Sequence, residues 1–234
     1  WGLLSGLGLL FSYTLLGEKM FKLDADRYGF KPMRLSWKWL AISLAMPVTL
    51  LAIYSNFVPG RLVVSEVPWD IQMNWITGAI FTTGFAVAFV EELLIRGLLL
   101  GLLVKRGGRR MALVISSAVF ALLHLLTPNL GLYGALMTLL ATYLISFVFT
   151  FAYWESGTML CPILLHRIWN ALIIGGIVAI GPNVDSGALA TYVLESDSPM
   201  ITGGPFGVEA SFISIGVILV FVILAHFLYA REMS

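Results

Sequence analysis

The sequence predicts an all-α polytopic membrane protein, a bundle of about seven bilayer-crossing helices, and three observations lead there. Hydrophobic residues fill 59% of the 234 positions and charged residues only 12%, whereas a soluble domain carries about 25% charged residues. The apolar residues gather in runs close to the roughly 20 residues that a bilayer-spanning helix needs. The basic residues lie almost entirely on one side of those runs, as the positive-inside rule describes.

The runs are 1–16, 38–58, 75–104, 111–126, 130–153, 158–180 and 211–230. The first is short and opens at Trp1 with no initiator Met and no basic n-region, so it reads as a start inside a longer chain, not a signal peptide. The second contains Pro47 and the sixth Pro162, where a kink or a helix start is expected. The third is long enough to tilt or protrude. The fourth stops at Thr127-Pro128-Asn129, a turn signal. Residues 181–210 are rich in Gly, Pro and acidic groups and read as an extracytoplasmic loop before the last span. With no internal repeat, 1–234 is expected to form a single integral membrane domain whose polar groups concentrate between residues 75 and 180.

Sidedness follows from charge. Seven spans put the segments 17–37, 105–110 and 154–157 and the C-terminus on one face. That face, with Lys38 at its edge, holds Lys19, Lys22, Arg27, Lys31, Arg34, Lys105, Arg106, Arg109, Arg110 and Arg231. The other face has Arg61 against Glu66, Asp70, Asp185, Glu195, Asp197 and Glu209. The basic face is therefore expected to be cytoplasmic. Trp37, Trp39 and Trp154 fall near it and Trp69 and Trp75 near the other, as interfacial aromatics do. A net charge of +1 gives no field for nucleic acid, and the single cysteine, Cys161, excludes an intrachain disulfide. No glycine run has the spacing of a phosphate-binding loop.

Against this background the groups inside the spans stand out: Glu91, Glu92, Arg96, His124, His166, Arg167 and Asn170. A charged side chain at mid-bilayer costs at least ~2.5 kcal/mol, so such groups face a protein interior and mark function. Helical rise places Glu91 about 21 Å from Lys105, His124 about 21 Å from Arg110, and His166 and Asn170 about 16 and 22 Å from Glu155. Three helices thus bring polar groups to one depth. Glu92 and Arg96 share a helix face and can pair, as can His166 and Asn170. Glu91 is turned about 100° from Glu92, which predicts that the two carboxylates serve different partners. Arg167 reads as a pairing residue, His226 as interfacial and Cys161 as a small packing residue.

These residues also carry a resemblance. Glu91-Glu92-Leu93-Leu94-Ile95-Arg96 matches EExxxR, Phe120-Ala121-Leu122-Leu123-His124 matches FxxxH, and His166-Arg167-Ile168-Trp169-Asn170 matches HxxxN. In this order on successive helices they resemble the CAAX-protease and bacteriocin-processing (Abi) family, which includes the Rce1-type prenyl-protein proteases. The resemblance implies a glutamate-dependent intramembrane endopeptidase without a cofactor. Glu91 and His124 would activate a water, His166 and Asn170 would stabilise the oxyanion, and Glu92 and Arg96 would support the site. It implies a peptide or protein substrate, lipidated or membrane-bound. Buried carboxylates gain basicity, and amide and imidazole N–H groups suit a developing oxyanion. Water must reach the site, so a polar cavity opening towards the cytoplasm is expected.

Two other readings use the same residues. Two histidines and a carboxylate form a known zinc set, so Glu91, His124 and His166 are alternative metal ligands, although no HExxH is present. A non-catalytic immunity or scaffold protein could keep the motifs.

Overall fold

A computed structural model describes residues 36–232. The expected span at 1–16 and the basic residues Lys19, Lys22, Arg27, Lys31 and Arg34 lie outside them. The described chain is mostly helical, as the apolar runs predict. Among the described residues, three helices are long and apolar enough to cross a membrane: α1 (Trp37–Phe57), α5 (Gly131–Ser156) and α8 (Phe212–Glu232).

The other runs take less regular forms. A helix begins after Pro68 as α2 (Trp69–Thr77) and continues through a π-helical stretch, Gly78–Val87. The short α3 (Ala88–Glu92) follows, then a second π stretch, Leu93–Leu99, leading into α4 (Leu100–His124). The break expected at 105–110 falls at Gly108, where φ is 77°, a conformation that costs a glycine nothing. Thr127-Pro128-Asn129 is the predicted turn, with Asn129 left-handed at φ 61°. α5 ends on left-handed Gly157, a common helix terminator. α6 (Leu160–Trp169) carries Pro162 in its first turn, where the missing N–H is harmless, and passes into a third π stretch, Asn170–Ile174.

Two expectations need correction. The span placed at 158–180 is helical only to Ile174, because Gly175 and left-handed Gly176 end it. The 181–210 segment, read as a loop, is built into a small sheet with turns. In that sheet β1 (Gly60–Val64) pairs antiparallel with β3 (Ala190–Leu194), which pairs parallel with β2 (Val178–Gly181). The strands are four or five residues long, too short for alternation to reveal them. A single turn, α7 (Pro199–Thr202), and two 3-10 turns then lead to α8.

Contacts define the two ends of the bundle. Lys38 and Trp39 both hydrogen-bond to Glu155, and Arg109 donates to the Tyr229 hydroxyl at 2.9 Å and lies over Trp154. The start of α1, the Gly108 break, the 154–157 turn and the end of α8 therefore share one end, the grouping that alternation of spans requires. Trp39, read as an interfacial residue, is instead fully buried there. At the other end the Tyr54 hydroxyl joins the Ile201 carbonyl and Ser211, tying α1 to the β3–α8 connection. Between the ends a continuous core includes Met46, Leu50, Phe120, Phe149, Leu165, Trp169 and Ile218.

Candidate active site

Glu91 and Glu92 occupy α3, flanked by π stretches on both sides. A π turn, with i→i+5 bonds such as Gly175 N–H to the Asn170 carbonyl at 2.7 Å, shifts the register of side chains along a helix and is common at functional sites. Here all three such stretches adjoin the polar groups.

Glu92 is the centre of the buried network. Its Oε1 accepts from Arg96 Nη1 at 2.9 Å and from His166 Nδ1 at 2.8 Å. The Glu92 and Arg96 side chains have no solvent exposure, so each charge is tolerable only because of the other. Arg96 Nη2 also donates to the Ser146 carbonyl at 3.1 Å and hydroxyl at 2.6 Å. The guanidinium lies 4.8 Å from the Phe120 ring centre and 5.3 Å from that of Phe149, contacts that favour a desolvated cation. The predicted i,i+4 pair is present and reaches further than a pair, since it also holds an imidazole.

His166 is stacked on Phe149 with ring centres 4.8 Å apart. Its Nε2 lies 3.7 Å from Glu91 Oε2. The expectation that the two adjacent carboxylates serve different partners is therefore wrong. An imidazole has nitrogens on two edges, and an offset of about 100° along a helix suits one carboxylate to each edge. Glu91 Oε2 is buried and makes no hydrogen bond, while 31% of the side chain remains accessible.

His124 ends α4, with Nδ1 2.8 Å from the Phe120 carbonyl. A carbonyl only accepts, so Nδ1 carries the hydrogen and the neutral ring presents Nε2 as an acceptor. Its ring is 4.6 Å from that of Phe120, the packing that the FxxxH spacing implies. Asn170 is buried, and its Nδ2 donates to the Thr83 carbonyl at 3.2 Å, which ties the Asn170–Ile174 stretch to the Gly78–Val87 stretch.

His124, His166 and Asn170 line one cavity of about 30 Å³ together with Phe120, Phe149 and Trp169. A water needs about 10–15 Å³ by this measure, so there is room for one or two. Glu91 is not among the lining residues and approaches His166 from outside this cavity. Phe206 and Glu209 complete the wall, and with Ile174 they also line a larger cavity of about 230 Å³ beside β2. The site thus adjoins the β3–α8 connection, at the end away from Lys105–Arg110. An opening on the basic face is not where the cavity lies.

Sequence reasoning missed Ser146, Thr83, Trp169 and Glu209. The first two act through ordinary polar atoms on apolar helices, which nothing in a sequence distinguishes. Glu209 was assigned to the loop, yet Trp169 Nε1 donates to its Oε2 at 3.2 Å. Arg167 lies over Phe85 at 5.5 Å, a stacking role. Among the described residues no three His, Cys, Asp or Glu side chains are grouped as metal ligands are.

A search of curated proteins found no match. Residues 73–172 match the family model described as Rce1-like, type II CAAX prenyl endopeptidase. The match spans all three motifs and bears out the resemblance they carry.

Proposed function

Because residues 73–172 match the family model described as Rce1-like, type II CAAX prenyl endopeptidase, we propose that this chain is a glutamate-dependent intramembrane endopeptidase of the CAAX and Abi kind. On this reading its substrate is a peptide or protein tail, lipidated or membrane-bound, and the full chain crosses the bilayer about seven times.

The observation that carries the reading is the clamp on His166, with Glu92 at Nδ1 and the unpartnered Glu91 Oε2 at 3.7 Å from Nε2. Two polar atoms that far apart do not bond well directly, but both can touch one water. Glu91 takes a proton from that water as its oxygen attacks the scissile carbonyl. His124, with Nδ1 committed to the Phe120 carbonyl, offers Nε2 as an acceptor that orients the nucleophile. Asn170 spends one amide hydrogen on Thr83 and keeps the other for the oxyanion. When His166 carries both protons, Glu92 holds Nδ1–H and Nε2–H faces the reacting centre. Removing one oxyanion donor typically costs about 100- to 1,000-fold in kcat, so both donors matter. Arg96 holds Glu92 and does not touch the substrate.

The test is hydrolysis of a farnesylated peptide with a CAAX-type end by the purified protein in liposomes. Glu91→Gln is expected to lower kcat by about 100-fold or more without unfolding the protein, and a chelator is expected to leave the wild type unchanged. Full activity in Glu91→Gln would remove Glu91 from the mechanism, and no hydrolysis by the wild type would remove the peptidase assignment. Loss of activity on chelation that zinc restores would favour the metal reading.

A further inference from the structure

The peptidase reading accounts for the water and the oxyanion but names no group to protonate the departing amine except Glu91 itself. Glu91 lies against the Nε2 edge of His166 and does not line the cavity. A second carboxyl does. Glu209, on the second 3-10 turn, Val208–Ala210, forms wall shared by the 30 Å³ cavity with His124, His166 and Asn170 and the 230 Å³ cavity beside β2. A chain that runs from the larger space to a scissile bond beside His166, between the small cavity and Glu91, passes Glu209.

Resting on the peptidase reading, we propose that Glu209 is a further catalytic residue, the general acid that delivers a proton to the leaving nitrogen. Its placement is fixed from two sides. Trp169 Nε1 donates to Oε2 at 3.2 Å, and Trp169 immediately precedes Asn170 on the same helix, so the carboxyl is held relative to an oxyanion donor. The bond to Oε2 leaves Oε1 to carry the proton. No ion-pair partner for Glu209 occurs among the described residues. The groups facing it are His166 and Glu91 across the site, His124 on the shared wall, Asp185 on the wall of the larger cavity, and the Trp169 indole. Burial pushes its pKa up to about 7 against the opposing pull of Trp169 and His166, which keeps a proton available near neutrality, where a general acid works best.

The step balances. As the water oxygen bonds to the carbonyl carbon, one water proton passes to Glu91. The C–N bond then breaks with its electron pair going to nitrogen, and nitrogen takes the proton from Glu209 Oε1. Solvent returns the proton of Glu91 to Glu209, and the net change is peptide plus water to acid plus amine.

The experiment measures pH profiles of kcat/KM for the full chain in liposomes with the farnesylated peptide. Glu209→Gln is expected to lower kcat about 100-fold with KM within about threefold, and to abolish an alkaline limb near pH 7. A rate within threefold of wild type with that limb intact would overturn the proposal. If Glu209→Gln does not fold, Trp169→Phe decides. Loss of the indole donor is expected to move the limb to higher pH, and an unmoved limb overturns the proposal. The wild type and Glu91→Gln, run alongside, separate the two ideas: no hydrolysis by the wild type sinks the peptidase reading, whereas an inactive Glu91→Gln beside an unaltered Glu209→Gln sinks only the assignment of Glu209.

Discussion

Glu92 and Arg96 show how a buried ion pair is retained for positioning. Taking both charges out of water costs several kcal/mol per ion, and their attraction only about offsets it. Their use lies in what they hold: the Glu92 carboxylate fixes His166 by Nδ1, and Arg96 fixes Glu92 while bonding Ser146 on α5. Arg96→Met should leave a buried carboxylate without its cation, destabilising the fold by about 3–5 kcal/mol, measured by denaturant unfolding in detergent. The double variant Glu92→Gln, Arg96→Met should recover much of that stability but not the activity, because a neutral amide in place of the carboxylate orients His166 poorly. If the double variant is as unstable as the single one, the pair is not the origin of the loss. Glu91, by contrast, is partly accessible and its Oε2 makes no hydrogen bond, so its substitution should affect rate and not stability.

At the scale of elements, the site depends on how closely two irregular helical stretches approach. A methyl group added at Gly84 would come within 3.2 Å of both the Ala171 Cβ and the Arg167 carbonyl, and one at Gly175 within 2.7 Å of the Ala79 Cβ. Small residues allow helix backbones inside a membrane to meet, and here the meeting sets the 3.2 Å bond from Asn170 to the Thr83 carbonyl. Gly84→Val should push the stretches apart and break that bond. The expected result is a 10-fold or larger fall in kcat, roughly the range for a misplaced catalytic group, with helical circular dichroism retained. Gly78→Ala, where an added methyl meets nothing, is the control, and equal effects from both would contradict this account.

For the whole molecule, the separation of charge and cavity has a consequence for access. Lys38, Arg109 and Arg231 belong to one end, with the Gly108 break and the end of α8. The cavity adjoins Phe206 and Glu209 near the sheet. The positive-inside rule predicts that the basic end is cytoplasmic and that the cavity is reached from the opposite face. In right-side-out vesicles of a variant with Cys161 replaced by Ala, a cysteine placed at Val184 should react with an impermeant maleimide, and one placed at Arg106 should react only after permeabilisation. The reverse pattern would turn the molecule over and put the site on the cytoplasmic face.

Composition and periodicity alone determined that most of this chain is apolar helix, and the three spaced motifs determined which side chains meet. His124, His166 and Asn170 line one cavity at the common depth that helical rise predicted, and Glu91 reaches that depth beside His166 but outside the cavity, because depth along a straight helix is a local quantity that can be counted. What each group faces is not local. That Glu91 and Glu92 grip one imidazole, that Glu209 enters the cavity from a segment read as loop, and that strands of four or five residues join positions far apart in the chain all depend on packing between elements. Hydrogen bonds to Ser146 and Thr83 come from atoms any helix offers, so only the tertiary structure, which selects one neighbour among many, decided them.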